Sequence, residues 1–240
     1  MTTEALFRTD PYLKTARAEI IARTEEGGVV VDRSIFYPKG GGQPGDSGRL
    51  VWSGGSCEIA STVKAIDGVG IVLVPAAPEP MPVEGTEVEM LLDWDRRLRF
   101  MRMHTALHLL SVVVPLPVTG GQIGLDKSRL DFDMPEIVHD RDFIQAKLSH
   151  LIEGNHPVTE EWITEAELDA NPGLVKTLSV QPPRGTGNIR LVRIGTGATP
   201  VDLQPCGGTH VRNTGEIGRV RVGKIENKGK SNRRISITLD

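Results

Sequence analysis

The run DWDRRLRFMRMHTALHLLSVVVPLP, Asp93 to Pro117, divides the chain into two parts of different character. From Trp94 to Val114 it contains neither glycine nor proline, and Leu98, Met101, Leu107 and Leu110 recur at roughly helical spacing. Asp93 stands where an N-cap belongs. Arg96, Arg97, Arg99 and Arg102 crowd the beginning of the helix, and Pro115 and Pro117 set the latest point at which it ends. Upstream, short apolar runs (Val29–Val31, Gly70–Val74, Val88–Leu92) alternate with Gly, Pro and Asp, the pattern of short strands. Pro75, Pro78, Pro80 and Pro82 then make an extended stretch unsuited to a helix.

Downstream, a second helix is expected over Arg141–Glu153, stopped by Gly154, and a short third begins at Thr164, which with Glu167 matches a capping box. Strands are expected over Ile189–Ile194, Ile217–Ile225 and Arg234–Leu239. The fold class is therefore α+β. A small N-terminal β-barrel over residues 1–92 is followed, over 93–240, by a two-layer α+β domain with helices on an antiparallel sheet.

Composition narrows the function. With 240 residues and 38% hydrophobic content the chain is long enough for two modest cores. A net charge of -3 and a pI near 6.1 exclude a polybasic nucleic-acid coat protein, so contact with RNA would need a local basic patch. Two distant cysteines, Cys57 and Cys206, do not make a secreted disulfide scaffold. The N-terminus lacks the basic-then-apolar order of a signal peptide, and Leu107–Val118, the most apolar stretch, falls short of the ~20 residues that span a bilayer. A soluble, cytoplasmic protein is expected.

Two motifs carry chemistry. His104 and His108 lie at i and i+4 of the expected helix, on one face, so their imidazoles can converge on one metal ion. Alone, such a pair is more often two ordinary helix-face residues. Cys206-Gly207-Gly208-Thr209-His210 repeats the spacing, but its glycines argue for a loop able to wrap both side chains around an ion. A glycine turn with a buried cysteine and a surface histidine reads equally well. Together the two motifs offer four ligands of a softness that favours zinc over magnesium or calcium. His139, His150 and His156 show no comparable grouping and read as surface residues. A zincin would need Glu where Thr105 stands, and a zinc deaminase would need a second cysteine and a His-x-Glu.

The combination of His104-x-x-x-His108 with Cys206-x-x-x-His210 resembles the editing domain shared by alanyl- and threonyl-tRNA synthetases. The string DLQPCGGTHVRNTGEIG, Asp202–Gly218, and the ending KGKSNRRISI, Lys228–Ile237, are similar to the alanyl branch. FYPKGGGQPGDSG, Phe36–Gly48, resembles the glycine-rich motif of the free-standing alanyl-tRNA editing proteins (AlaX) in their medium-length form. Ser231 departs from the glycine expected in the family's KGKG-type ending, which touches only the terminal loop. The resemblance implies zinc on His104, His108, Cys206 and His210. It also implies hydrolysis of the wrong amino acid, chiefly serine with glycine as a second candidate, from tRNA(Ala).

Further candidates follow from chemistry read beside that resemblance. Lys39 precedes the glycines and no Gly-Lys-Ser/Thr follows, so the loop is not a Walker A. Gly41, Gly42 and Gln43 are candidate substrate contacts, because a polar Gln43 could reward a serine hydroxyl. A turn joining two strands is the competing reading of that loop. Thr105 and Thr209 sit beside ligands and are assigned to substrate or to the ligands' outer shell, and no general base is identified. Gly121–Phe132 is placed in the same cleft by the resemblance. Arg219, Arg221, Lys224, Lys228, Lys230, Arg233 and Arg234 form a local basic patch suited to RNA phosphates. Competing functions are a non-catalytic RNA-binding module stapled by zinc, a release-factor-like hydrolase suggested by two Gly-Gly-Gln tripeptides, and an unrelated small-molecule zinc hydrolase. Oligomeric state is not legible.

Overall fold

The structure is a computed structural model that describes residues 2–66, 70–78, 81–178 and 187–240. Contacts divide the chain into two compact units, Met1–Arg99 and Phe100–Asp240.

In the first unit, β1 (Glu4–Ala5), α1 (Leu6–Thr9), β2 (Thr15–Arg23), β3 (Val29–Val31), β4 (Arg33–Ser34), β5 (Gly48–Trp52), β6 (Gly55–Lys64), β7 (Ile71–Pro75) and β8 (Glu87–Leu92) follow in order. Six of these close an antiparallel barrel in the order β2-β3-β7-β6-β5-β8. Alternation along β6 and β8 turns Cys57, Ile59, Val88, Met90 and Leu92 inward to meet Ile20, Leu50 and Leu73. The prolines after β7 lie outside any helix, as expected; Pro80 is outside the described residues.

The glycine-rich segment Phe36–Gly48 is the barrel's most constrained loop. Gly40 and Gln43 exchange backbone hydrogen bonds (3.1 and 2.9 Å) around Gly41 and Gly42, both at positive φ (56° and 81°), the signature of a two-residue hairpin turn. A Cβ at Gly45 would stand 2.0 Å from the Thr62 carbonyl oxygen, so only glycine fits there. Asp46 ends the turn against Arg97, whose side chain is fully buried. Arg97 Nε donates to Asp46 Oδ2 (2.9 Å) and Nη2 bonds the same oxygen. Nη1 donates to the carbonyl of Pro11 (2.8 Å), and Nη2 also to that of Ile35 (2.6 Å). The sequence presents Arg97 as one of four surface-like arginines; its burial comes from tertiary pairing that no local pattern encodes.

The second unit begins within α2 (Trp94–Val113), capped by Asp93, whose Oδ1 accepts from the Arg96 N–H at 3.2 Å. There follow β9 (Val118–Gln122), β10 (Lys127–Asp133), α3 (Arg141–Glu153), β11 (Val158–Thr164), α4 (Glu165–Ala170), β12 (Asn188–Ile194), β13 (Asp202–Pro205), β14 (Val220–Val222), β15 (Glu226–Asn227) and β16 (Asn232–Leu239). One antiparallel sheet has the order β14-β16-β10-β9, with β15 on β16; another has the order β11-β12-β13. α3 buries Ile144, Leu148 and Ile152. Its Gln145 closes the edge strand β14 by donating to the Val220 carbonyl (2.8 Å) and accepting from the Val222 N–H (2.7 Å). α4 starts on the expected Thr164/Glu167 capping box and packs Leu168 onto Ile189 and Leu191.

One expected strand is corrected. Ile217–Ile225 is not a single strand: Thr214–Ile217 is a 3₁₀ turn closed by Asn213 and Glu216, and Gly218 leaves it at φ +71°. Only Val220–Val222 then pairs with β16. From Met103 to Ser111 every residue of α2 is buried, so this part of the helix has no solvated face, while Asp95 and Arg99 in its first turns are exposed. Among the described residues no helix is long and apolar enough to cross a membrane.

Removing one partner of a buried ion pair strands the other charge, at about 3–5 kcal/mol. Asp46→Ala is therefore expected to lower unfolding free energy by roughly that amount. Denaturant titration of purified protein checks this, and a loss under about 1 kcal/mol would show that Arg97 is held by its carbonyl partners alone.

Candidate metal centre

A stretch of helix buried on all sides must find a partner for each polar side chain it carries, and in α2 that stretch carries His104, Thr105, His108 and Ser111, all buried. His104 and His108 stand one turn apart with ring centroids 5.2 Å from each other. The His210 ring lies 4.3 Å from the first and 4.6 Å from the second. Cys206 Sγ is 3.4 Å from His104 Nε2 and 3.3 Å from His210 Nε2. One donor atom from each of the four residues falls within 4.8 Å of all the others. Neighbouring ligands around a tetrahedral ion with Zn–N about 2.0–2.1 Å and Zn–S about 2.3 Å would be separated by about 3.3–3.6 Å. The donor set and its spacing therefore fit one metal ion.

The rings are aimed by a further layer of hydrogen bonds. Thr105 donates its one hydroxyl proton back to the Met101 carbonyl (2.9 Å), so its oxygen is left as an acceptor. His210 Nδ1, 3.1 Å away, must then carry the proton, which leaves the Nε2 lone pair facing Cys206. His108 is held in the same sense: its Nδ1 lies 3.0 Å from Asp202 Oδ2. Asp202 also accepts from Lys176 Nζ (2.5 Å) and Gln204 Nε2 (2.7 Å). Alternation along β13 turns Asp202 and Gln204 to the buried face, and Cys206 continues that period.

Electrostatics favours the ligating forms of Cys206 and His210 and keeps a proton on His108. Burial pushes the Cys206 thiol up, but the His104 and His210 rings beside it outweigh this and hold it well below the usual thiol value. Burial presses His108 down, yet its hydrogen bonds to Asp202 and Cys206 raise it to about 9. Burial and then the charge of His104 lower His210 to about 3. Burial would raise Asp202, but His108 and Lys176 bring it down to about 2. The cluster thus sets a thiolate beside an imidazolium at His108, and a divalent cation would take the place of that proton.

The other candidates are placed as follows. Thr105 serves the ligands' outer shell, and Thr209 is buried within the ligand loop. Gly41, Gly42 and a buried Gln43 belong to the hairpin of the first unit. Gly121 and Gln122 end β9, and Lys127–Phe132 lie on β10, which is paired to it. Arg219, Arg221, Lys224, Lys228 and Lys230 are exposed, with Arg221 on Asp240 (2.6 Å) and Lys228 on Glu226 (3.1 Å). Arg234 is bidentate on Asp131 (2.7 and 2.9 Å). Arg233 donates to Asn227 and to the carbonyls of Gly229 and Pro135. The sequence reading gave no role to Asp202, Gln204, Ser111 or Lys176. The first two were within reach, since a strand ending at Cys206 puts 202 and 204 on its face. Lys176 arrives from a loop and carries no local signal.

Comparison with known proteins adds independent findings. Residues 189–236, which include Cys206 and His210, match the family model described as the threonyl and alanyl tRNA synthetase second additional domain. Residues 9–96 match that of the class II (A) tRNA synthetases. The chain is 35% identical over 254 residues to the alanyl-tRNA editing protein AlaX-M of Methanosarcina acetivorans, covering 99% of both. It is 36% identical over 247 residues to the AlaX-M protein of Methanosarcina mazei, covering 99% of this chain and 96% of the relative. It is also 35% identical over 236 residues to the alanine–tRNA ligase of Pyrobaculum arsenaticum, of which it covers 25%.

Outer-shell partners of metal ligands are typically worth about 10–100-fold in affinity. Asp202→Asn, which keeps the shape but not the charge, is expected to weaken zinc or cobalt binding by about that factor. Competition with a chromogenic chelator measures it; wild-type affinity in the variant would remove Asp202 from any role at the metal.

Proposed function

The chain belongs to the alanyl-tRNA editing protein family, and from that membership we propose a zinc-dependent hydrolase that deacylates mischarged tRNA(Ala), chiefly when it carries serine and secondarily glycine. The observation that carries the reading is the convergence of His104, His108, Cys206 and His210 on one point. In this reading residues 1–92 form the glycine-rich-motif domain, residues 93–240 the editing domain, and the protein is cytoplasmic.

An aminoacyl ester is already activated, so hydrolysis needs a positioned water and stabilisation of a developing oxyanion. Zinc bound to the four residues would lower the pKa of water, polarise the ester carbonyl or orient the substrate amino group. The chain's own part is preorganisation: Asp202 fixes the proton of His108, Thr105 fixes that of His210, and both rings keep their Nε2 atoms on the centre. The exposed Arg219, Arg221, Lys224, Lys228 and Lys230 are suited to RNA phosphates by charge. Arg233 and Arg234 support that face from within, through their bonds to Asn227 and Asp131.

A second reading, an RNA-binding module in which zinc only staples the domain, is favoured by the ligand count, since four protein ligands typify structural zinc. Deacylation of seryl- and alanyl-tRNA(Ala) by purified protein separates the two. The expected outcome is fast loss of serine, slow loss of alanine, and no activity in Cys206→Ala. Folded, zinc-loaded protein that hydrolyses neither would overturn the editing reading in favour of the staple or a different substrate altogether.

Gln43 is proposed to reward the serine hydroxyl. A site built to hydrogen-bond a hydroxyl discriminates through it, so Gln43→Ala is expected to lose the preference for seryl over alanyl substrate in the ratio of kcat/KM. An unchanged ratio would take Gln43 out of the account.

A further inference from the structure

Cys206 and His210 reach the centre from a loop containing two adjacent glycines, and nothing intrinsic to such a loop keeps its donors converged. The geometry points to Arg190 as the positioning residue that does so. This inference rests on the reading of Cys206 and His210 as metal ligands.

Arg190 lies on β12, where its backbone carbonyl accepts from the Cys206 N–H at 3.2 Å. Its guanidinium then reaches beneath the loop. Nη1 donates to the Cys206 carbonyl at 2.7 Å and to the Gly208 carbonyl at 3.0 Å. Between those two carbonyls the loop turns back on itself, and the Gly208 N–H points at Cys206 Sγ (3.4 Å). Arg190 thus ties down both ends of the arch that presents the thiolate. The fork is itself oriented by Glu160 on β11, through Nη2 at 2.5 Å. Nε is buried without a hydrogen-bond partner among the described residues, so the position of the guanidinium is set by its Nη1 and Nη2 bonds. The side chain is 9% exposed, where charge-assisted hydrogen bonds are little weakened by water.

A lysine at this position would offer a point charge without a planar fork, and could not hold two carbonyls and a carboxylate in the same arrangement. Arg193, three residues on, supplies an internal comparison. It makes an equivalent ion pair with Glu161 and bonds the Gly197 carbonyl, but lies on the opposite face of β12 and does not touch the ligand loop. A difference between variants at these two positions therefore separates loop positioning from general support of the sheet.

The test loads wild-type protein, Arg190→Met, Arg190→Lys, Glu160→Gln and Arg193→Met with zinc, and follows transfer of the metal to a chelator. Thermal unfolding of the same samples is recorded, and the thiolate-to-cobalt absorption of cobalt-substituted protein reports on the Cys206 bond. Arg190→Met is expected to lose zinc about 10–100-fold more readily and to shift the cobalt band. Arg190→Lys and Glu160→Gln should fall between it and wild type, and Arg193→Met should hold zinc as wild type does. Should Arg190→Met not fold, the Lys and Glu160→Gln variants carry the test. Equal zinc retention in the Arg190 and Arg193 variants, with only unfolding temperature changed, overturns the proposal. Wild-type protein that fails to bind zinc at all overturns the ligand reading and this inference with it.

Discussion

Two imidazoles one helical turn apart necessarily point the same way, and the arrangement of the second unit follows from where α2 aims them. Because α2 is buried on every side around His104 and His108, water cannot satisfy their nitrogens, and each proton must be assigned to a protein partner. The structure meets that demand with groups of opposite chemistry. A carboxylate, Asp202, takes the outer proton of His108, and a hydroxyl already committed as a donor, Thr105, takes that of His210. The inner edge of His210 is then a lone pair facing a sulfur, and that of His108 becomes one when a cation takes the place of its proton. Burial, which would otherwise penalise so polar a cluster, is what fixes its tautomers.

The same logic recurs in the first unit without chemistry attached. Arg97 is fully buried beside Asp46 and is bonded to two main-chain carbonyls, so the turn after the glycine-rich hairpin has one arrangement rather than several. A buried ion pair of this kind adds little net stability but is expensive to break from one side. It keeps in one register the hairpin turn that Gly41 and Gly42 make beside Gln43. Arg190 under the Cys206–Gly208 arch is a third instance, in which a guanidinium fork orders glycine-bearing main chain. In the two arginine cases the glycines permit the path and a buried or nearly buried guanidinium selects it.

What could be read in the sequence was whatever is local. The Asp93 cap, the span of α3 and the Thr164/Glu167 box depend on neighbours within a turn, and each appears as expected. The four-residue spacing of each ligand pair was likewise visible, and the structure brings both pairs to one place. Periodicity failed where special backbone intervened: Gly218 at positive φ cut the strand expected over Ile217–Ile225 to three residues. Composition also overstated the basic patch. Arg233 and Arg234 look in sequence like the exposed lysines around them, yet Asp131, on a strand a hundred residues earlier, has drawn one inward, and the carbonyls of the terminal loop hold the other. Long-range partners of arginine leave no periodic trace.

The charges around the centre bear on whether it is suited to more than holding the fold together. A divalent cation at the four ligands would be neutralised by one thiolate, Cys206, and one carboxylate, Asp202. Lys176, bonded to that carboxylate at 2.5 Å, then leaves the group with one positive charge in excess. A purely structural site gains nothing from such an excess, although Lys176, 26% exposed, keeps part of its charge in reach of water. A site that must receive an ester carbonyl on its way to an oxyanion gains directly, since a fixed positive field in a water-poor setting acts most strongly where negative charge develops. The pairing of Asp202 with Lys176 as well as His108 is therefore the feature that would support the proposed hydrolysis over a staple. It does so through the field at the centre, with all four protein ligands left in place.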